Sequence, residues 1–177
     1  MTPHHSVIST ARLDLVLFTA ETLNAVLSGD ALAIAGVALP ADWLRQNEVV
    51  LRLRRDQITR EPERIPWIVR AMVRRDTGEF VGSIGFHGKP GSNAIGALDA
   101  VELGYSVQPE FRRQGFAEES VRAMMAWARA RSISRFIVSV SPTNVPSLAL
   151  AAKLGFTEVT RVIDDQDGPE IVFELRT

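Results

Sequence analysis

The apolar positions of the chain fall into short blocks whose spacing switches between strand and helix. "LDLVLF", Leu13 to Phe18, is a compact apolar run and predicts a strand. Thr19 then supplies an N-cap for "AETLNAVLSG", a helix closed by Gly29. "DWLRQNEVVLRLRRDQI" has helical spacing through Leu44, Val49 or Val50, Leu53 and Ile58, which predicts a helix with those residues on its apolar face. Pro62 and Pro66 bracket its exit, and "IPWIVRAMVRR" reads as a buried strand. "DTGE" turns the chain with Gly78 where a hairpin needs positive φ, and "FVGSIGF" is the returning strand.

A glycine-rich loop, "HGKPGSNAIGALDA", leads into the strand "VELGYSV". From about Gly115 to Arg131 the apolar residues Val121, Met124, Met125 and Ala128 stand at i, i+3, i+4 and i+7, the signature of an amphipathic helix. The strand "RFIVSVS", a short helix "VPSLALAAKL" ended by Gly155, and the strands "FTEVTRVI" and "IVFEL" complete the chain. This alternation predicts an α/β protein whose sheet has mixed strand directions. With no repeat, low-complexity tract or linker, residues 1–177 are expected to form one domain.

Composition narrows the function more by exclusion than by assertion. At 46% hydrophobic residues the chain can bury a sizeable core. It has no cysteine, so thiolate nucleophiles, disulfides and cysteine-type zinc sites are impossible, and a reducing cytoplasm suits it. Twenty basic residues against 21 acidic argue against a protein built to neutralise nucleic-acid phosphates. "RLRR" at 52–55 lies in a helical stretch without aromatic interleaving. No apolar run reaches the roughly 18 to 20 residues of a membrane span, and "MTPHHSVIST" lacks the order of a secretory signal. His4 and His5 read as a terminal pair rather than metal ligands. His87 is distant from them and no HExxH-type spacing exists, so no metal is expected.

The stretch "QPEFRRQGFAEES" carries the chemistry. It sets a basic, glycine-bearing turn at a helix entrance, straight after a strand. A helix N-terminus offers unpaired N–H groups and partial positive charge, and so receives phosphate readily. Gly115 lets a ligand approach the backbone, Ala117 keeps the first turn open, and Arg112 and Arg113 add charge. The plainer reading is a helix start with solvated arginines. No GxxxxGK[ST] occurs, and none of the 12 glycines stand two apart, which removes the other common phosphate cradles.

"RRQGFA", Arg112 to Ala117, resembles the [RQ]-x-x-G-x-[GA] coenzyme A loop of the GNAT N-acyltransferase superfamily. "VELGYSVQPEF", "NVPSLALAAKLGF" and "TARLDLVLFTAETL" resemble further segments of that family in the right order. The likeness is to the RimJ/RimL branch, the ribosomal-protein N-terminal alanine acetyltransferases and their relatives, and is loose only over residues 30–62. It implies a GNAT fold: a strongly twisted mixed sheet with flanking helices, in which "VELGYSV" and "RFIVSVS" are central parallel strands that splay apart. It implies acetyl-CoA as co-substrate and no metal. The pantetheine arm would pair with backbone near Tyr105, Ser106 and Val107. The pyrophosphate would lie on Arg113, Gln114, Gly115, Phe116 and Ala117, with Arg112 beside it. Asn144 and Ser147 match residues facing the cofactor in that branch; both also fit a plain helix cap.

The implied reaction is direct attack of a neutral amine on the thioester, with both substrates aligned and an N–H near Ser106 or Val107 facing the developing oxyanion. A main-chain amine, with a pKa of about 8, loses its proton far more easily than a lysine at about 10.4. Glu102, inside "VELGY", is the candidate base, and an ordinary sheet-face glutamate is the alternative. His87 is a second candidate. Many relatives have a tyrosine seven residues after the asparagine; here Ala151 stands there and Tyr105 is the one tyrosine, so the acid is unassigned, with Ser141 or water as options. The expected partner is a peptide N-terminus or small amine. Neither nucleic acid nor membrane is expected, and a homodimer is compatible with the reading. Residues 30–62 and the turn with Asp164, Asp165 and Asp167 are the segments expected to shape the acceptor site. The rival reading is a coenzyme A-binding sensor or interaction module without catalysis.

Overall fold

The computed structural model describes residues 7–34, 36–165 and 168–177, so His4, His5 and Asp167 lie outside the described residues. The strands are β1 (Val7–Ser9), β2 (Leu13–Leu17), β3 (Arg70–Arg74), β4 (Phe80–Phe86), β5 (Ala100–Val107), β6 (Arg135–Val140), β7 (Thr157–Asp164) and β8 (Gly168–Arg176). The helices are α1 (Ala20–Leu27), α2 (Ala41–Arg60), α3 (Phe116–Arg129) and α4 (Val145–Lys153). The strands pair in the order β1-β2-β3-β4-β5-β6-β8-β7, an eight-stranded mixed sheet with flanking helices, which is the α/β class read from the sequence.

Two compact units divide the chain, and each is discontinuous in sequence. The first holds residues 1–85 and 105–124. In it β1 to β4 form an antiparallel meander, and the end of β5 joins β4 through the Gln108 N–H on the Val81 carbonyl at 2.8 Å. Its core gathers Phe18 and Leu23 with Trp43, Leu51 and Ile58 of α2. Trp43 packs its ring edge to face with Phe80, centroids 4.8 Å apart. Thr19 caps α1 by accepting the Thr22 N–H at 3.2 Å, as its position in the sequence predicts.

The second unit holds residues 86–104 and 125–177. Here the start of β5 runs parallel to β6, and β6 and β7 flank β8 in antiparallel pairs. The parallel register covers three residue pairs, from Ala100↔Arg135 to Glu102↔Ile137. β6 continues to Val140 against β8, while β5 goes on without it. Ala100, Ile137 and Val172 form the buried centre of this unit. Arg135 ties it across: its Nη2 is 2.7 Å from Glu174 and its Nη1 is 2.9 Å from Asp99.

The structure departs from the sequence reading in three places. The strand expected from Ile65 begins only at Arg70, because Pro62–Trp67 coils into a 3₁₀ turn. Pro66 has no N–H for a ladder and its neighbours cannot start one there. The apolar face of α2 keeps Leu44 and Ile58 of the expected set but not Val49, Val50 or Leu53. Val49 is 73% exposed, and Val50 and Leu53 are exposed, while Trp43, Leu51 and Ile58 are buried. Those three stand 8 and 7 residues apart, close to two helical turns each, and make the true inward stripe. The short strand β1 carried no pattern long enough to read.

Candidate active site

The turn from Arg112 to Ala117 belongs to the first unit, and its backbone is unusual. Arg113 has φ +60° and Gly115 has φ +83°. For the arginine that left-handed conformation costs about 1–2 kcal/mol, a strain found where a backbone must present its N–H groups to a ligand. At the entrance of α3 the Glu119 N–H donates to the Gly115 carbonyl at 3.1 Å; the N–H groups ahead of it stand in the first turn, where a helix has no carbonyl of its own to offer them. Arg112 Nε donates to the Val107 carbonyl at 3.0 Å, and the Gln114 amide donates to the Glu110 carbonyl at 3.0 Å. The turn is thus held from its side chains.

A clasp unseen in the sequence fixes it further. Arg12 Nη1 donates to the Gln114 carbonyl at 2.9 Å, and Arg12 Nε donates to Glu119 at 2.7 Å. The guanidinium also lies 4.5 Å over the Phe116 ring. Glu119 in turn accepts from Thr10 Oγ1 at 2.6 Å and from the Arg12 N–H at 2.8 Å. Burial by itself would raise the Glu119 carboxyl, but the bonds from Thr10 and Arg12 outweigh it and hold the group below the usual carboxylate range. The clasp thereby engages the Gln114 carbonyl of this turn. Arg12 and Glu119 are 107 residues apart, so no local pattern could pair them.

The end of β5 also borders a cavity of about 840 Å³, within the range of small-molecule sites. Ser106, Gln108, Glu110 and Arg112 line it, together with Asp42, Gln46 and Asn47 of α2. Ser106 Oγ shares a hydrogen bond with Ser83 Oγ at 3.2 Å, and Tyr105 is half-buried. Two carboxylates, Arg112 and several amides give this cavity a polar wall of both charges; Asp42 is paired with Arg45.

Glu102 lies in the second unit. His87 donates its N–H to the Glu102 carbonyl at 2.8 Å, which sets the two residues opposite one another across β4 and β5. Opposed residues of an antiparallel pair project to the same face, and His87 Nδ1 is 3.6 Å from Glu102 Oε1. The Glu102 carboxylate is only 3% exposed. Its Oε1 accepts from Ser139 Oγ at 2.6 Å and its Oε2 from the Ala94 N–H at 2.6 Å. Asn93 shapes the loop that offers Ala94: its side chain bonds the Ala97 N–H and carbonyl. Ser139 and Ala94 were not singled out in the sequence, because serine and alanine carry no signal of their own there.

Asn144 caps α4, accepting the Ser147 N–H at 3.3 Å, so the capping half of its expected role is present. Ala151 is buried in that helix, and Ser141 shares a bond with Thr143 at 3.0 Å. Among the described residues no three His, Asp or Glu side chains gather as a metal site, and no helix is long and apolar enough to cross a membrane.

Residues 12–157 match the family described as Acetyltransferase (GNAT) domain. The chain is 32% identical over 91 residues to the uncharacterized N-acetyltransferase YjdG of Bacillus subtilis (strain 168), 51% of this chain and 49% of that one. It spans about half the length of the curated relatives it matches. Its fold is similar to that of an acetyltransferase from Agrobacterium tumefaciens str. C58, with TM-score 0.63, 20% identity and coverage of 100% and 98%. RimL, a ribosomal alpha-N-protein acetyltransferase in complex with coenzyme A, is also similar, with TM-score 0.63, 16% identity and coverage of 96% and 97%.

Proposed function

Since the chain belongs to the GNAT acetyltransferase family, we propose that it is an N-acetyltransferase that moves an acetyl group from acetyl-CoA to a primary amine. The observation that carries this reading is the 112–117 turn. Its place at a helix N-terminus, its left-handed Arg113 and Gly115, and its restrained Gln114 carbonyl fit a diphosphate. Arg112, Arg113 and the N–H groups of Gly115, Phe116 and Ala117 would hold it, and Gln114 shapes the turn. The backbone of Tyr105, Ser106 and Val107 would hold the pantetheine arm, with Asn144 and Ser147 as further contacts. When bound, acetyl-CoA supplies the acyl group as a thioester.

The chain's own residues align the amine, take its proton and keep a donor near the carbonyl oxygen. Glu102 is the carboxylate assigned to proton acceptance, directly or through a water. For the acceptor, the cavity beside Ser106 supports a polar amine, with Gln46, Asn47 and Glu110 in its lining. A peptide N-terminus fits this better than a lysine, since its ammonium gives up a proton near pH 8 rather than 10.4 (both about). We place the reaction in the cytoplasm, where acetyl-CoA is at hand.

The test joins a binding measurement with a turnover screen. Calorimetry with acetyl-CoA is expected to show saturable one-site binding. Thiol release is expected with at least one member of a panel of free-N-terminus peptides, polyamines and other small amines. No acetyl-CoA binding would overturn the reading; binding without thiol release across the panel would instead mark a coenzyme A-binding sensor.

A further inference from the structure

We propose that Arg12 is a positioning residue for the cofactor: it holds the Gln114–Gly115 peptide in the orientation that aims the Gly115 N–H at the diphosphate. This rests on the acetyltransferase reading above, and every group involved belongs to the first unit. A trans peptide is planar, so its C=O and N–H point opposite ways, and no cis peptide occurs among the described residues. Arg12 Nη1 donates to the Gln114 carbonyl at 2.9 Å. The N–H of that same peptide, which belongs to Gly115, is therefore directed away from Arg12. Were the peptide to turn over, its carbonyl oxygen would stand where that N–H stood and would repel an anion.

A restraint is needed at this place. Gln114 lies between two left-handed residues, Arg113 with φ +60° and Gly115 with φ +83°. Glycine takes either sign of φ at little cost, so the residue that lets a ligand approach also leaves this peptide free to turn. A left-handed arginine beside it persists only where the surroundings over-determine it.

The guanidinium supplies that surplus from one rigid plane. Besides Gln114 it bonds Glu119 through Nε at 2.7 Å, and it lies 4.5 Å over the Phe116 ring. Phe116 and Glu119 both stand in the first turn of α3, so Arg12 ties the peptide to the helix end assigned to the anion. An ammonium, a point charge on a flexible stem, has no such fork. Arg12 is itself firmly mounted in the turn between β1 and β2. There the Leu13 N–H donates to Thr10 Oγ1 at 2.9 Å, and the Thr10 N–H donates to the Leu13 carbonyl at 2.8 Å. Arg75 braces the same turn from the end of β3: its N–H donates to the Arg12 carbonyl and its Nη1 to the Thr10 carbonyl, each at 3.0 Å.

Two variants test this. Arg12→Met keeps an apolar stem over Phe116 and removes the donors; Arg12→Lys keeps the charge and removes the fork. By calorimetry both are expected to bind acetyl-CoA about 10-fold more weakly than the parent, with thermal melts confirming that they are folded. On the amine that the panel yields, KM for acetyl-CoA should rise in step while kcat stays within about twofold, the pattern of lost binding rather than lost chemistry. Loosening of the peptide is read directly by NMR relaxation dispersion on glycine-labelled protein without ligand. The Gly115 amide is expected to show microsecond-to-millisecond exchange in Arg12→Met and none in the parent, while Gly29 and Gly78 behave alike in both. That measurement uses neither cofactor nor acceptor, so its failure and the failure of the proposed function are read apart. Parent-like affinity in either folded variant, or a Gly115 amide without added exchange in Arg12→Met, would overturn the proposal.

Discussion

At the scale of single residues, the 112–117 turn depends on groups outside it, such as Arg12, as much as on its own. Gly115 is the sharpest case. Its φ of +83° disfavours any side chain, and a Cβ would come 3.3 Å from Arg12 Nη2. Gly115→Glu adds a carboxylate where the diphosphate is assigned, so acetyl-CoA affinity is expected to fall beyond calorimetric detection. The backbone cost of about 1–2 kcal/mol leaves a protein with this much core folded, which a thermal melt verifies. A folded variant with parent affinity would remove the turn from the cofactor site. Asn144 poses a subtler question because its cap is already in place. Asn144→Asp caps equally well, so stability is expected to hold. If the residue also faces the cofactor, the added charge weakens acetyl-CoA binding by about 10-fold, or 1.4 kcal/mol. Equal affinity and equal stability would leave Asn144 a cap alone.

At the scale of elements, α2 shows how a periodic pattern can be read on the wrong face. Charged residues interrupt both stripes, and the tryptophan at its start belongs to the buried one. Leu51 packs in the core of the first unit while Val49 faces outward. Leu51→Ala is accordingly expected to cost about 2–5 kcal/mol, and Val49→Ser to stay within about 0.5 kcal/mol of the parent. Urea unfolding of both variants decides it; equal losses would mean the helix is rotated from the setting described. The same helix lends Asp42, Gln46 and Asn47 to the cavity. Its inner face thus serves stability, and its first turns line the cavity proposed for the acceptor.

At the scale of the whole molecule, arginine–carboxylate links set the response to acid. Arg135 donates to Glu174, which lowers that carboxyl against the opposing effect of burial, and Arg176 adds to it. Glu119 is lowered likewise, its bonds to Thr10 and Arg12 exceeding the cost of its burial. A carboxyl whose pKa is lower folded than unfolded adds stability that is complete above the unfolded value, about 4.3 for glutamate. That stability is lost as pH falls through the lower folded values. Stability to urea is therefore expected to be insensitive to these two groups from neutrality to about pH 5, and to decline below about pH 4. In a Glu119→Gln, Glu174→Gln double variant the acid slope should be shallower. An unchanged slope would exclude both groups as its source.

The local choices were legible in the chain because their causes are local. Thr19 caps, Gly78 and Gly155 turn, and Val121 to Ala128 repeat at helical spacing, each through neighbours within a few residues. The basic turn at 112–117 and the strand before it were legible for the same reason. What tertiary structure alone decided is which distant groups meet. The chain could offer Glu102 and His87 as alternatives, but only strand register makes them a pair, with Ser139 and the Ala94 N–H closing the carboxylate. Arg12 reaches Gln114 and Glu119 across about a hundred residues for a like reason. Pairing across strands depends on where the strands lie, and a sequence pattern fixes spacing along one element, not the register between two.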